Sequence, residues 1–202
     1  VYYVNDRYSY TTEYYYEGIK DDTKTDTNIA KFETEITNYT DKIIDGYKLD
    51  RVENNPLKVQ SNEANNVMKV YYVKDNFDYS IEYYYDGTKD DAQTVTLNAK
   101  FEEEITTYED KVRFGYRLEK VDNNPLTITS NSANNVMKVY YIIDDTQTKE
   151  LSYTVEYYKD GQKVDADTEV ERVTVQVLQP NTMTVNKDKI NLADKYLGYK
   201  TE

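Results

Sequence analysis

The phrase NNVMKVYY occurs at residues 65–72 and again at residues 134–141, an offset of 134 − 65 = 69 residues. The same offset links Gly18 to Gly87 and Pro56 to Pro125. Residues 13–72 and 82–141 align without a gap and share 39 of 60 positions. Such identity at a fixed period indicates tandem copies of one unit, so the chain must fold as a series of small similar units.

A third copy begins with YTVEYYKDG at Tyr153, which matches YSIEYYYDG at Tyr79. Its middle is longer, because Gly161 and Gly198 are 37 residues apart. The opening VYYV matches the end of the repeated phrase. We therefore predict a closing strand of a preceding repeat at residues 1–6, repeat 1 at 7–75, repeat 2 at 76–147, and a variant, truncated repeat 3 at 148–202.

Most of each repeat alternates with the period of a β-strand. In YSIEYYYD, the side chains of Tyr79, Ile81, Tyr83 and Tyr85 share one face and leave polar residues on the other, which predicts a half-buried strand. Further strands are predicted at residues 93–101, 116–121, 126–129 and 136–142.

One short helix is predicted in each repeat. In repeat 2, Thr107 and Asp110 have the spacing of a capping box, and Gly115 follows as a C-terminal glycine. Residues 38–46 carry the same pattern in repeat 1, and residues 186–198 predict a longer helix in repeat 3. The predicted fold class is therefore mainly β (α+β), with a mixed sheet and one short helix per unit.

Composition excludes several function classes. The formal net charge is −13, which disfavours nucleic-acid binding because phosphate contacts need clustered Lys and Arg. The chain has no Cys and no His, so Cys-based and Ser-His catalysis and the usual zinc sites are excluded. No apolar run approaches the length of a membrane-spanning helix. We expect no cofactor, no enzyme activity and no direct membrane insertion by this segment.

The sequence resembles the mucin-binding protein (MucBP) repeats of Gram-positive bacterial surface proteins. The resemblance rests on EYYYDG, EEITTYED, GYRLEKV, PLTI and NNVMKVYY, which follow one another through repeat 2. It implies a β-grasp-like fold, an extracellular location on the cell surface or cell wall, and adhesion to host mucin or glycans. It implies no catalytic residues.

Three tyrosines are candidates for ligand binding. Tyr15, Tyr84 and Tyr158 lie on the Glu-bearing face of the first strand of each repeat, where exposed rings could stack on a sugar. The alternative is that they cover their own sheet as cross-strand partners.

Acidic residues after the turn glycine are weak candidates for Ca²⁺, which takes six to eight oxygen ligands. Their spacing matches no known calcium loop, so no metal site is predicted. These residues are Asp90, Asp91, Asp165, Asp167 and Glu169.

Two functions follow as hypotheses. The first is a stalk or spacer in a surface adhesin, with adjacent repeats of the same chain as partners and an elongated rod as its shape. The second is a multivalent module that binds mucin or glycan, because linked weak sites gain avidity.

Overall fold

The computed structural model describes residues 1–2, 4, 6–185, 196–198 and 200. Within this range the chain is mainly β, as predicted. The described residues of the opening segment, Val1, Tyr2, Val4 and Asp6, are exposed and lie outside any strand. The helix predicted at residues 186–198 falls almost wholly outside the described residues.

The first sheet is mixed and has five strands. Strand β1 pairs in parallel with β7 and antiparallel with β2 and β3, and β5 pairs antiparallel with β7. The order is therefore β2-β1-β7-β5, with β3 also on β1. Strands β4 and β6 form a separate two-stranded ladder. The bounds are β1 (Arg7–Tyr16), β2 (Ile19–Lys20), β3 (Asp26–Lys31), β4 (Glu35–Ile36), β5 (Tyr47–Glu53), β6 (Leu57–Lys58) and β7 (Val67–Lys74).

The second sheet repeats this order. Its path is β10-β8-β14-β12, with β9 on β8, and β11 and β13 form the separate ladder. The bounds are β8 (Asn76–Tyr85), β9 (Thr88–Lys89), β10 (Val95–Lys100), β11 (Glu104–Ile105), β12 (Tyr116–Asp122), β13 (Leu126–Thr127) and β14 (Val136–Ile143). The strands predicted in repeat 2 are thus confirmed, with ends shifted by one to two residues.

The third repeat contributes two antiparallel pairs, β15 with β18 and β16 with β17. These strands are β15 (Thr148–Val155), β16 (Tyr158–Lys159), β17 (Gln162–Lys163) and β18 (Glu169–Gln176). The helices of the described residues are 3₁₀ turns of three residues each. They lie at Asp22–Lys24, Glu63–Asn65, Ser132–Asn134 and Asp165–Asp167.

The chain divides into two compact units. The first comprises Val1–Tyr84, Thr88–Asp110 and Lys120–Tyr140, and the second comprises Tyr85–Gly87, Lys111–Glu119 and Tyr141–Glu202. The sheet of repeat 1 lies in the first unit and the β15–β18 ladder in the second. The repeat boundaries at residues 75/76 and 147/148 stay a prediction.

Tyrosine builds much of the core. In β8, the side chains of Tyr79, Ile81, Tyr83 and Tyr85 are buried while those between them are half-buried, so the predicted alternation is confirmed. The largest fully buried side chains are four tyrosines: Tyr14, Tyr72, Tyr83 and Tyr141.

The short helix predicted at residues 38–46 is wrong. Residues 37–44 form no helix, and tyrosine hydroxyls of the sheet bond their backbone instead. Tyr14 donates to the carbonyl oxygen of Thr40 at 2.7 Å, and Tyr16 donates to that of Lys42. Tyr72 accepts from the Lys42 amide at 3.0 Å and donates to Asp41. Backbone groups satisfied in this way do not need the hydrogen bonds of a helix.

The helix predicted at residues 107–115 is wrong for the same reason. Tyr83 donates to the carbonyl oxygen of Glu109 at 2.8 Å and Tyr85 to that of Lys111 at 2.6 Å. The Lys111 amide donates to the hydroxyl of Tyr141 at 2.8 Å. Each bond is the counterpart, 69 residues on, of a bond in repeat 1.

The recurring NN phrase has a structural cause. The side chain of Asn66 is fully buried and accepts from the Gln60 amide while donating to the carbonyl oxygens of Ser9 and Gln60. It joins three chain segments, and Asn135 does the same in repeat 2. A buried amide with its bonds satisfied is costly to replace, which explains why the phrase is duplicated unchanged.

Candidate functional site

The Glu-bearing face of each sheet carries a pair of stacked tyrosines. Tyr15 on β1 lies opposite Tyr71 on β7, with ring centroids 4.7 Å apart and planes 22° apart. Tyr84 stacks on Tyr140 at 4.8 Å and 22°. All four rings are half-buried. Tyr15 and Tyr84 therefore have the cross-strand partners that the structural interpretation required.

A charged network holds the hydroxyl end of Tyr15. The hydroxyl donates to Glu13 at 2.7 Å, and Glu13 also pairs with Lys20 at 2.7 Å. Lys20 then contacts Asp22 at 3.1 Å. The strand turn at Gly18 brings β1 and β2 together, and so places Lys20 opposite Tyr15 in register.

The same four-residue network occurs in all three repeats. The hydroxyl-to-Glu distance is 2.7 Å in repeat 2 and 2.9 Å in repeat 3, and the Lys-to-Glu distances there are 2.7 and 2.8 Å. Its members are Glu82, Tyr84, Lys89 and Asp91 in repeat 2, and Glu156, Tyr158, Lys163 and Asp165 in repeat 3.

The network changes the acidity of its members. The hydrogen bond to Glu13, followed by burial, raises the pKa of Tyr15 to about 12, and Glu82 does the same for Tyr84. Burial alone would raise the pKa of Glu13, but hydrogen bonds from Lys20 and Tyr15 outweigh it and the pKa is lowered. The hydroxyls stay protonated and the carboxylates charged at neutral pH, so the network is locked in one protonation state.

Cations lie over the stacked rings. The guanidinium of Arg51 is 3.8 Å from the ring centroid of Tyr71, and the ammonium of Lys120 is 4.6 Å from that of Tyr140. Lys69 and Lys138 lie 5.9 Å from the rings of Tyr15 and Tyr84. These contacts stabilise the rings by cation–π attraction. A sugar stacking on Tyr71 or Tyr140 would have to displace them.

Tyr158 is the most exposed of the three candidate tyrosines. Its side chain is 59% exposed, and among the described residues no aromatic ring stacks on it. Its hydroxyl donates to Glu156, which raises its pKa as in the other repeats. Tyr158 therefore presents an open ring face that Tyr15 and Tyr84 do not.

A shallow depression of about 430 Å³ lies on this face in repeat 2. It offers carboxylate, amide and ammonium groups beside the ring of Tyr140. Its lining residues are Glu82, Asp122, Asn123, Ala133, Asn134, Val136, Lys138 and Tyr140.

The weak calcium candidates have other contacts. The side chain of Asp90 accepts from the Ala92 amide at 3.0 Å, while Asp91 and Asp165 contact lysines of the networks above. Asp167 is buried and accepts from the hydroxyl of Tyr196, and Glu169 begins β18 as an exposed residue. Within the described ranges, no group of three or more acidic side chains is close enough to hold a metal ion.

Sequence reasoning singled out the tyrosines but missed their Glu and Lys partners and the stacked Tyr71 and Tyr140. A signal was present, because the spacing E-x-Y-x4-K-x-D occurs three times, from Glu13, Glu82 and Glu156. Alternation along one strand reveals the face of a residue but not its partner across a turn.

Comparison with models of known protein families finds no family that matches this chain, and comparison with curated proteins finds no similar sequence. In the part of the chain that the structure describes, no helix has the length and apolar character needed to cross a membrane.

Proposed function

We propose that this chain is the tandem-repeat region of an extracellular, cell-wall-associated surface protein, in which it acts as a stalk or spacer. The observation that carries the proposal is the way one repeat leads into the next. Strand β7 ends at Lys74 and β8 begins at Asn76, so one residue, Asp75, separates the two sheets. A link this short restricts the motion of one repeat against the next.

The use of the aromatic residues also supports a structural role. Tyr15 and Tyr84 stack on partners, bond to carboxylates and lie beside lysines, so little of either ring is free for a ligand. Repeating a unit of this kind adds length at each step.

We further propose that each repeat is a β-grasp-like unit and that the repeats together form an elongated rod. The MucBP-like order of motifs supports the unit, and the directly joined strands β7 and β8 support the rod. Presentation on the surface of a Gram-positive cell follows from the resemblance.

A second candidate function is a multivalent module that binds mucin or glycan. The observation that favours it is the open ring of Tyr158, which is 59% exposed. Aromatic faces of this kind stack on the apolar face of a sugar ring. Adhesion would then depend on several weak sites acting together.

One experiment separates the two functions. The wild-type chain and the triple variant Tyr15→Ser, Tyr84→Ser, Tyr158→Ser are compared for binding to immobilised mucin and for thermal unfolding. The stalk predicts no specific mucin binding by the wild type. It also predicts a lower melting temperature for the triple variant, because two stacked pairs are lost.

A matched variant, Tyr158→Ser alone, controls for the stacked pairs, because only the open ring is removed. Mucin binding by the wild type that is lost in both variants, with the melting temperature of the single variant unchanged, would favour the adhesive module and contradict a purely structural role.

A further inference from the structure

A glycine corner of repeat 1 packs against an aromatic ring of repeat 2. Gly46 has φ +81°, and a Cβ added to it would lie 2.4 Å from the ring of Phe101. The next residue, Tyr47, contacts the same ring edge-on, with centroids 6.1 Å apart. The glycine is therefore required both by its backbone conformation and by the closeness of Phe101.

Polar contacts of Asp75 fix this corner. Its amide donates to the carbonyl oxygen of Gly46 at 2.9 Å, and its own carbonyl oxygen accepts from the Phe101 amide at 2.8 Å. The carboxylate of Asp75 pairs with Lys48 at 2.8 Å. The corner thus has the form Gly-Tyr followed by a basic residue, docked on an aromatic ring and an aspartate.

The contact is made a second time further along the chain. Gly115 has φ +84°, and a Cβ added to it would lie 2.7 Å from Leu178. The Asp144 amide donates to the carbonyl oxygen of Gly115 at 2.9 Å, as Asp75 does to Gly46. The residues after Gly115 are Tyr116 and the basic Arg117. Two occurrences show that this is a general way for a corner to dock on a neighbouring repeat.

Repeat 1 carries the receiving face with nothing docked on it among the described residues. The Phe32 amide donates to the carbonyl oxygen of Asp6 at 2.9 Å, as Phe101 does to Asp75. The ring of Phe32 meets Tyr8 at 6.1 Å and 68°, and that of Phe101 meets Phe77 at 6.2 Å and 69°. Phe32 is nevertheless 38% exposed, whereas Phe101 is half-buried.

Repeat 3 carries the matching corner. Gly198 has φ +87°, and no atom of the described residues lies within 4 Å of where its Cβ would be. The preceding residue, Leu197, is 81% exposed. In sequence, Gly198 is followed by Tyr199 and Lys200, as Gly46 is followed by Tyr47 and Lys48.

We propose that the Phe32 face of one chain binds the Gly198 corner of a second copy, so that chains associate head to tail. Phe32 and Asp6 take the places of Phe101 and Asp75, and Lys200 of the second copy takes the place of Lys48. The charges are complementary, because an aspartate receives a lysine. A contact between two different surfaces does not close on itself, so it can continue from chain to chain. This inference stands whether or not the chain acts as a stalk.

The junction inside the chain supplies a cross-linking test. The hydroxyl of Ser130 donates to the carboxylate of Asp45 at 2.6 Å, beside Gly46. Ser61 holds the place of Ser130 in repeat 1, and Leu197 holds the place of Asp45 before Gly198. The chain has no cysteine, so a Ser61→Cys chain mixed with a Leu197→Cys chain in a glutathione redox buffer reports this contact alone.

The matched control replaces Leu197→Cys by Phe114→Cys. Phe114 precedes Gly115 and is 76% exposed, but its corner is already covered by Leu178. We expect the Leu197→Cys mixture to give about tenfold more of the mixed disulfide dimer, measured by mass, which corresponds to about 1.4 kcal/mol of preference.

Adding Phe32→Ala to the Ser61→Cys chain should lower the yield about fivefold, which corresponds to about 1 kcal/mol. Urea unfolding of that variant confirms that repeat 1 remains folded. Equal yields with Leu197→Cys and Phe114→Cys, or a yield insensitive to Phe32→Ala in a folded chain, would overturn the proposal.

Discussion

Tyrosine hydroxyls bond the backbone of the irregular segment in each of the first two repeats. The hydroxyls of Tyr14, Tyr16 and Tyr72 reach residues 40–42, and their counterparts in repeat 2 reach residues 109–111. Phenylalanine would fill the same space but leave these backbone groups without partners. This is a physical reason for a composition with 24 Tyr and 4 Phe.

Removing one of these hydroxyls should destabilise repeat 1. In Tyr72→Phe, the Lys42 amide and the Asp41 carboxylate lose a partner, which we expect to cost about 1–3 kcal/mol in the free energy of unfolding. Tyr71→Phe is the matched control, because the neighbouring hydroxyl bonds the exposed Glu53. Urea denaturation should show a change within about 0.5 kcal/mol for that control. Equal losses in the two variants would contradict the role assigned to Tyr72.

The raised tyrosine pKa values predict loss of stability in alkali. Tyrosine in the unfolded chain titrates near pH 10. The pKa is raised to about 12 for Tyr15 and Tyr84, and burial, aided by Asp26 for Tyr14 and by Asp41 for Tyr72, raises it for those two as well. A raised pKa favours the folded state fully below pH 10 and loses that effect as the pH rises through the folded value.

We therefore expect the free energy of unfolding in urea to be constant with respect to these groups up to about pH 10 and to fall between about pH 10 and pH 12. Phenolate absorbance of the folded chain should lag behind that of the unfolded chain over the same interval. Stability that does not change from pH 9 to pH 12 would contradict the tyrosine network.

At the scale of elements, the strands could be predicted and the helix could not. Period-2 alternation in β8 identified its buried face, because that pattern depends on one strand alone. The segment before Gly46 has the cap residues of a helix, but the hydroxyls that hold it extend from β1 and β7, which are distant in sequence. Glu13 and Lys20 were missed as partners of Tyr15 for the same reason, since their contact depends on the turn at Gly18.

Two glycines with the same backbone conformation allow the corner contact to be measured. Gly18 has φ +78° and open space around it, whereas Gly46 has φ +81° and lies against Phe101. Gly18→Ala should cost about 1–2 kcal/mol for a left-handed alanine. Gly46→Ala should cost about 1–3 kcal/mol more, because the added methyl group overlaps the ring. Chemical denaturation of both variants gives the difference, and equal costs would contradict a tight contact between Gly46 and Phe101.

At the scale of the whole molecule, the 69-residue period was the most informative feature of the sequence. It predicted that the sheet of repeat 1 would recur in repeat 2, and the order β2-β1-β7-β5 recurs as β10-β8-β14-β12. The lengths of the links also followed from the sequence. The docking of Gly46 on Phe101 did not, because it requires knowing that two residues 55 positions apart (101 − 46) meet at one junction.

The proposed rod is tested most directly by small-angle X-ray scattering of the full chain in solution. A compact globule of this length has a radius of gyration of about 17 Å. We predict a radius of gyration well above that value and a skewed distance distribution with a long tail, unchanged on dilution to concentrations at which chains do not associate. A radius near about 17 Å with a symmetric distance distribution would contradict the rod, and with it the proposal that the repeats act as a stalk.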